Sequence, residues 1–184
     1  MTGIITEKDI FTKLDGKNIL LDTCCLIHAT KQPELIGKLL RDIKNSGASF
    51  FTIPIINLEF LRDVGNIEDF KKRQIFLNEI TDGMVFPVET KLSDIPEFPM
   101  VMKSVHARTS LADYLLVASL VIHHDVLLMT ENHQDMPLGI LDRISIMSFD
   151  NNNGIKTFGL YQINGDKYVR SVERILGDSP AIFN

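Results

Sequence analysis

The sequence has no excess of basic residues. Its 19 Lys and Arg residues stand against 24 Asp and Glu residues, which gives a formal net charge of −5 at pH 7. A passive nucleic-acid-binding protein normally presents a positive field, so this balance argues against that class. It does not exclude an enzyme whose acidic cluster is neutralised by divalent metal ions, because bound ions are then the largest local charges.

Cysteine is also scarce, and its two copies are the neighbours Cys24 and Cys25. Two cysteines are too few for a disulfide framework or a four-ligand zinc site. We interpret both as small core residues in an apolar strand region rather than as a redox pair. The chain has no stretch of about 18 uninterrupted apolar residues and no basic start typical of a signal peptide. We therefore expect a reduced, cytoplasmic protein with no membrane partner.

Three common catalytic motifs are missing as well. The chain has no glycine-rich phosphate loop, no Gly-x-Ser-x-Gly elbow and no Asp-x-Asp pair after its first predicted strand. These absences argue against P-loop enzymes, serine-type hydrolases and haloacid-dehalogenase phosphatases. What is present is 184 residues with 45% hydrophobic and 23% charged side chains, which fits one domain with a substantial core.

The hydrophobic pattern alternates between strand and helix signals. Strands are predicted at residues 18–24, 49–53, 84–88, 125–130 and 144–149. Helices are predicted at residues 10–14, 33–45, 55–64, 67–80, 111–124 and 168–176. Residues 89–108 are predicted to be partly loop. Alternating strands and helices predict an α/β protein with a mainly parallel sheet covered on both faces.

Four acidic residues occur where this architecture would bring them to one edge of the sheet. Asp22 ends the apolar run of the first strand, Glu59 lies about one turn into a helix, and Asp113 begins the most apolar helix. Asp135 follows the strand that ends at Thr130. In open α/β sheets ligands bind outside the carboxyl ends of the strands. Burying several like charges there is costly unless cations compensate them, so we expect Mg²⁺ or Mn²⁺ at this edge.

Each acid alone also has an ordinary structural explanation. Asp22 could end a strand or cap a turn, and Asp135 could be a simple loop residue. Glu59 and Asp113 are acids near helix starts, where the helix dipole favours negative charge, although Ser110 is the better N-cap for the second helix. The four acids together, in this order and context, are less easily explained as caps.

Four segments that carry these acids resemble the four motifs of the PIN domain. They are Leu20-Leu21-Asp22-Thr23, Ile53-Pro-Ile-Ile-Asn-Leu-Glu59, Ala112-Asp-Tyr-Leu-Leu-Val-Ala118 and Met129-Thr-Glu-Asn-His-Gln-Asp135. The PIN family consists of metal-dependent ribonucleases and includes the VapC-type toxins of toxin–antitoxin pairs. The resemblance spans residues 18 to about 149, and its specificity lies in the order and context of the four motifs.

The resemblance implies a three-layer α/β/α fold with a mainly parallel central sheet. It also implies an endoribonuclease that depends on Mg²⁺ or Mn²⁺ and hydrolyses RNA with a metal-activated water to leave a 5′-phosphate. We expect residues 1–149 to form the PIN-like domain with a short N-terminal lead-in. Residues 150–184 would form a C-terminal extension packed on the same domain.

The resemblance also assigns roles to individual residues. Asp22, Glu59 and Asp113 match the three acids that hold the metal. Asp135 best matches the more variable fourth acid, and Glu131 is the alternative for that position.

Three polar residues match supporting positions. Thr130 and Asn132 match the polar residues of the fourth motif, which would position the activated water or support a carboxylate. Thr23, next to Asp22, is a weaker supporting candidate. Met136 departs from the family by replacing the aromatic residue that commonly ends the fourth motif, a substitution that a core should tolerate.

The family also suggests partners beyond the RNA substrate. A toxin of this kind would bind a protein antitoxin, and PIN domains suggest a homodimer. The lead-in and the tail beyond residue 150 make this chain longer than typical toxins of the family. His133, inside the fourth motif, is a candidate for contact with RNA, and Arg108 is a candidate for contact with phosphate.

Two other classes of function remain as alternatives. A catalytically silent PIN-like module would bind or scaffold a partner, although intact acids argue against it. A receiver-like domain would accept a phosphoryl group at an acidic Mg²⁺ pocket. That domain needs two adjacent acids after the first strand and a Lys after a late strand, and the sequence has neither.

Overall fold

The computed structural model describes residues 4–5, 7, 9–62, 64–105, 109–150 and 154–177. Its strands are β1 (Ile4–Ile5), β2 (Asn18–Leu21), β3 (Ser49–Phe51), β4 (Val126–Thr130), β5 (Leu141–Asp150) and β6 (Ile155–Ile163). Its α-helices are α1 (Ile10–Leu14), α2 (Thr23–Lys31), α3 (Lys38–Asn45), α4 (Pro54–Arg62), α5 (Ile67–Thr81), α6 (Phe98–Ser104), α7 (Leu111–Ile122) and α8 (Gly165–Gly177). A π-helical turn (Pro33–Gly37) leads into α3, and a 3₁₀ helix (Val88–Asp94) precedes α6.

The six strands form one mixed sheet in the order β1-β5-β6-β4-β2-β3. Strand β2 pairs in parallel with β3 and with β4, whereas the β4–β6, β6–β5 and β5–β1 pairs are antiparallel. The α/β class is therefore confirmed, and parallel pairing holds for the β4-β2-β3 part of the sheet. The other part is antiparallel because β5 and β6 follow each other closely in the chain, which allows a hairpin rather than a crossover.

The end of β2 differs from the predicted strand at residues 18–24. The strand stops at Leu21, and Asp22 adopts an extended conformation (φ −79°, ψ 156°) as the N-cap residue of α2. Cys24 and Cys25 therefore lie in a helix, and their predicted position in a strand is wrong. The residues that α2 buries, Cys25, Leu26 and Ala29, recur at helical spacing, which a short apolar run does not distinguish from a strand.

The predicted strand at residues 84–88 is also wrong among the described elements. Only Val85 forms a β-bridge, to Thr52, and the 3₁₀ helix begins at Val88. The neighbouring strand β3 ends at Phe51 and α4 begins at Pro54, so in the described part of the sheet the pairing stops after the bridge at Thr52.

One hydrophobic core connects the sheet with the helices. All five residues of β4 are buried, and α7 buries nine of its twelve residues. Strand β6 lies between β4 and β5, and its Phe158 and Leu160 are fully buried in this core. The segment beyond residue 150 thus supplies an interior strand of the sheet. Among the described residues, no helix is both long and apolar enough to cross a membrane.

Candidate functional site

The parallel pairing of β2 and β4 brings two predicted site residues together. Leu21 is in register with Met129, and the Asp22 N–H donates to the Met129 carbonyl oxygen at 3.1 Å. The next residue of β4, Thr130, is fully buried, and its hydroxyl donates to Asp22 Oδ2 at 2.5 Å. The carboxyl ends of the two strands therefore meet at Asp22.

Asp22 is a buried carboxylate held by neutral donors. The residue is 8% exposed, and its Oδ2 also accepts a hydrogen bond from Cys24 Sγ at 3.1 Å. Burial raises the pKa of Asp22 above its ordinary value, the hydrogen bonds from Thr130 and Cys24 oppose that rise, and the negative charge of Asp113 adds to it. Asp22 and Asp113 are thus close enough to repel each other.

Asp113 lies in the first turn of α7 and has a structural role there. The Ser110 hydroxyl accepts a hydrogen bond from the Asp113 N–H at 3.1 Å and donates to Asp113 Oδ2 at 2.7 Å. The Ser110 N–H donates to the same carboxylate oxygen at 3.3 Å, which completes a capping box. The capping box therefore uses Oδ2 of Asp113, whereas Oδ1 takes no part in the capping box.

Asn132 links two acids of the site. Its Nδ2 donates to Asp113 Oδ1 at 3.3 Å and to Asp135 Oδ2 at 2.8 Å. Its backbone N–H donates to the Thr130 hydroxyl at 2.9 Å, and that hydroxyl donates in turn to Asp22. Thr130 and Asn132 thus join Asp22, Asp113 and Asp135 in one hydrogen-bonded network.

Glu59 approaches this network through Thr23. The Thr23 hydroxyl donates to Glu59 Oε2 at 2.7 Å, and Thr23 directly follows Asp22 at the start of α2. Helix α4 therefore places Glu59 beside the N-terminus of α2. In the described part of the chain, no direct hydrogen bond joins Glu59 to Asp22 or Asp113.

Glu131 belongs to a different cluster of side chains. It accepts hydrogen bonds from His28 Nε2 at 2.6 Å and from Lys156 Nζ. Burial alone would raise the pKa of Glu131, but the bonds from Lys156 and His28 outweigh it and hold that pKa below its usual range. Of the two candidates for the fourth acid, only Asp135 joins the Asn132 network. No local pattern identifies His28 and Lys156, because they lie about 100 and 25 residues from Glu131 in sequence.

The imidazole ring of His133 has hydrogen-bonding partners within the protein. Its Nδ1 lies 2.7 Å from the Tyr161 hydroxyl, and its Nε2 lies 2.6 Å from the Thr157 hydroxyl. Both ring nitrogens are therefore occupied by partners on β6. Arg108, the candidate for phosphate contact, lies outside the described residues.

The acids have no cationic partner within the described residues, because none of the ion pairs found there includes Asp22, Glu59, Asp113 or Asp135. Nor do three or more His, Cys, Asp or Glu side chains in that part of the chain form a group that could hold a metal ion. Magnesium is commonly held by only one or two carboxylates together with water and substrate phosphate. The oxygen donors of the uncompensated Asp22 and Asp113 fit that mode of binding.

Comparisons of the chain with protein-family models, with curated proteins and with solved structures find no match.

Proposed function

We propose that the protein is a Mg²⁺- or Mn²⁺-dependent endoribonuclease of the PIN type. The observation that carries this proposal is the pair Asp22 and Asp113, two buried carboxylates that are linked through Thr130 and Asn132. Among the described residues, the hydrogen bonds to both carboxylates come from neutral groups, and neither carboxylate forms an ion pair. A protein gains nothing in stability from such a pair unless a cation compensates it. A divalent ion is the ligand that these oxygens suit best.

The proposal includes the fold of the family. The parallel β4-β2-β3 segment, with Asp22 at its carboxyl edge and α7 packed against β4, supports a three-layer α/β/α arrangement. The antiparallel β5–β6 pair extends the sheet beyond that segment.

Asp22 and Asp113 would hold the ion, with Glu59 and Asp135 completing its surroundings. A bound divalent ion lowers the pKa of a water molecule and stabilises the charge that develops on a phosphodiester during hydrolysis. Two neutral side chains hold these carboxylates in position. Thr130 fixes Oδ2 of Asp22, as Asn132 fixes Oδ1 of Asp113.

The proposed partners follow from this activity. RNA is the substrate, and the protein would act in the cytoplasm. If it is the toxin of a toxin–antitoxin pair, a protein antitoxin would inhibit it by covering the acidic site, and the active form would be a homodimer.

Cleavage of a labelled single-stranded RNA tests the proposal. We expect wild type to cleave with Mg²⁺ or Mn²⁺ and to be inactive in EDTA. Asp22→Asn and Asp113→Asn should each lower the rate by about a hundredfold or more while remaining folded, because each removes a charge that the transition state needs. Asp42→Asn, a change of the same kind at an exposed surface residue, should leave the rate unchanged. Cleavage that persists in EDTA or in Asp22→Asn would overturn the proposal.

The alternative function is a catalytically silent PIN-like module that binds or scaffolds a partner. Two observations favour it: the capping box that uses one oxygen of Asp113, and the lack of a three-ligand metal group among the described residues. This alternative predicts that folded wild type cleaves none of a varied set of RNAs and that Mn²⁺ leaves its thermal unfolding unchanged.

A further inference from the structure

A groove of about 650 Å³ runs beside α8 and is lined by three of its basic residues. Lys167, Arg170 and Arg174 are spaced by three and four residues, which places them on one face of the helix. No acidic residue lines the groove in the part of the chain that the structure describes. This concentration of positive charge is unexpected in a chain with a formal net charge of −5.

The two arginines of the groove are not neutralised by neighbours. Lys167 forms an ion pair with Asp142 at 2.7 Å, so its charge is partly compensated. The Arg170 Nε donates to the backbone carbonyl of Asp166 at 3.1 Å, which leaves the charge of its guanidinium in place. Both arginines are exposed, and within the described residues neither of them forms an ion pair.

The opposite wall of the groove is closely packed. It consists of the end of α6 and the loop that precedes β5. A Cβ atom on Gly139 would lie only 2.9 Å from Val105 Cγ1, so the glycine allows this loop to approach the end of α6. Leu138, which is 52% exposed, adds an apolar surface beside the basic face. The groove thus combines cations on one side with apolar groups on the other.

The groove begins close to the proposed site along the chain. Leu138 is only three residues beyond Asp135, and the two lie in the same loop between β4 and β5. Three residues span at most about 11 Å, so an RNA strand of several nucleotides bound at the acids is long enough to reach this loop.

We propose that this groove binds the phosphodiester backbone of single-stranded RNA, an inference that rests on the proposed ribonuclease function. Guanidinium groups bind phosphate through paired, charge-assisted hydrogen bonds. Arg170 and Arg174 are about 6 Å apart along the helix axis, so they can contact different phosphates rather than share one. Leu138 and Val105 offer the apolar contacts that sugars and bases can use.

The test measures RNA binding in the absence of cleavage. Binding of a fluorescent single-stranded RNA is followed by anisotropy in EDTA over a range of salt concentrations. The double variant Arg170→Gln/Arg174→Gln should raise Kd roughly tenfold or more near 0.1 M salt and reduce the salt slope by about 1.4, because two phosphate contacts are lost. The matched control Lys17→Gln/Lys38→Gln removes the same charge from exposed positions away from the groove and should leave the slope unchanged.

The outcomes separate this inference from the ribonuclease proposal. Equal salt slopes in the groove variant and the control would overturn the groove proposal even if wild type cleaves RNA. Weakened binding in the groove variant supports the groove even if wild type does not cleave, in which case only the nuclease proposal fails. Binding of an acidic peptide that depends on the arginines, without any RNA binding, would overturn the RNA assignment of the groove.

Discussion

At the scale of single residues, hydrogen bonds from neutral groups hold the Asp22 carboxylate in position without neutralising its charge. Thr130 and Cys24 donate hydrogen bonds to Asp22, and these bonds favour its ionised form. Burial and the neighbouring Asp113 act in the opposite direction, and the net effect raises the pKa of Asp22. The neutral donors therefore orient the carboxylate, and in the part of the chain that the structure describes no ion pair compensates its charge.

Gly159 is a residue whose lack of a side chain is required by packing. A Cβ atom there would lie 2.5 Å from Tyr161 Cε2 and 3.0 Å from His133 Cε1. Gly159→Ala should therefore reduce the free energy of unfolding by about 1–3 kcal/mol, the usual cost of overpacking a core. Urea denaturation checks this value.

Gly177→Ala is the control, because nothing lies within 4 Å of a Cβ at that position. A Gly159→Ala protein as stable as Gly177→Ala would contradict the packing of His133 against β6.

At the scale of elements, the loop after β4 connects three parts of the molecule. Glu131 points to His28 and Lys156, Asn132 points to the acids, and His133 bonds to β6. Successive residues thus anchor the loop in different directions. This arrangement explains how an irregular segment can hold Asn132 in a defined position.

The anchoring by Glu131 predicts a pH-dependent contribution to stability. The pKa of Glu131 is lowered in the folded protein, so its stabilising effect is complete above the unfolded pKa of about 4.3 and is lost as the pH falls through the lower folded value. Glu131→Gln should therefore be less stable than wild type at pH 7, and the difference should shrink below about pH 4. Chemical denaturation at several pH values measures both effects.

Glu34→Gln, at an exposed residue, provides the comparison for a general loss of one negative charge. A Glu131→Gln difference that stays constant down to pH 2 would contradict the charged interaction with His28 and Lys156.

The elements also show which parts of the fold were predictable. Helix α7 and strand β4 appear close to their predicted bounds, because a long apolar helix and a continuous apolar strand are strong signals. The segment after Leu21 is predicted as a strand but is helical, because its apolar residues fit either period. The apolar pattern at residues 84–88 predicts a strand, but it carries no information on where the neighbouring strand β3 ends.

At the scale of the whole molecule, the sequence predicts that Asp22 and the residues after Thr130 lie at one edge of the sheet, but it does not predict the order of the strands. Asp22 and Thr130 lie together because β2 and β4 are parallel neighbours, and the capping box of Ser110 and Asp113 is local in sequence. The partners of Glu131 and the basic groove could not be predicted in this way. They depend on how β6 enters the sheet and how α8 packs near α6, which no local spacing encodes.

Under the proposed function, Asp22 and Asp113 together bind a divalent cation. Thermal unfolding of wild type and Asp22→Asn, each in EDTA, Mg²⁺ and Mn²⁺, measures this binding. In EDTA, Asp22→Asn should unfold at the same or a higher temperature than wild type, because the variant removes a buried charge and keeps an oxygen that can accept from Thr130.

The metal should raise the midpoint of wild type alone, with a stabilisation of about 2.7 kcal/mol when its concentration is a hundred times Kd. A wild-type midpoint that does not respond to either metal, or an equal response in Asp22→Asn, would contradict the binding of a divalent cation by Asp22 and Asp113.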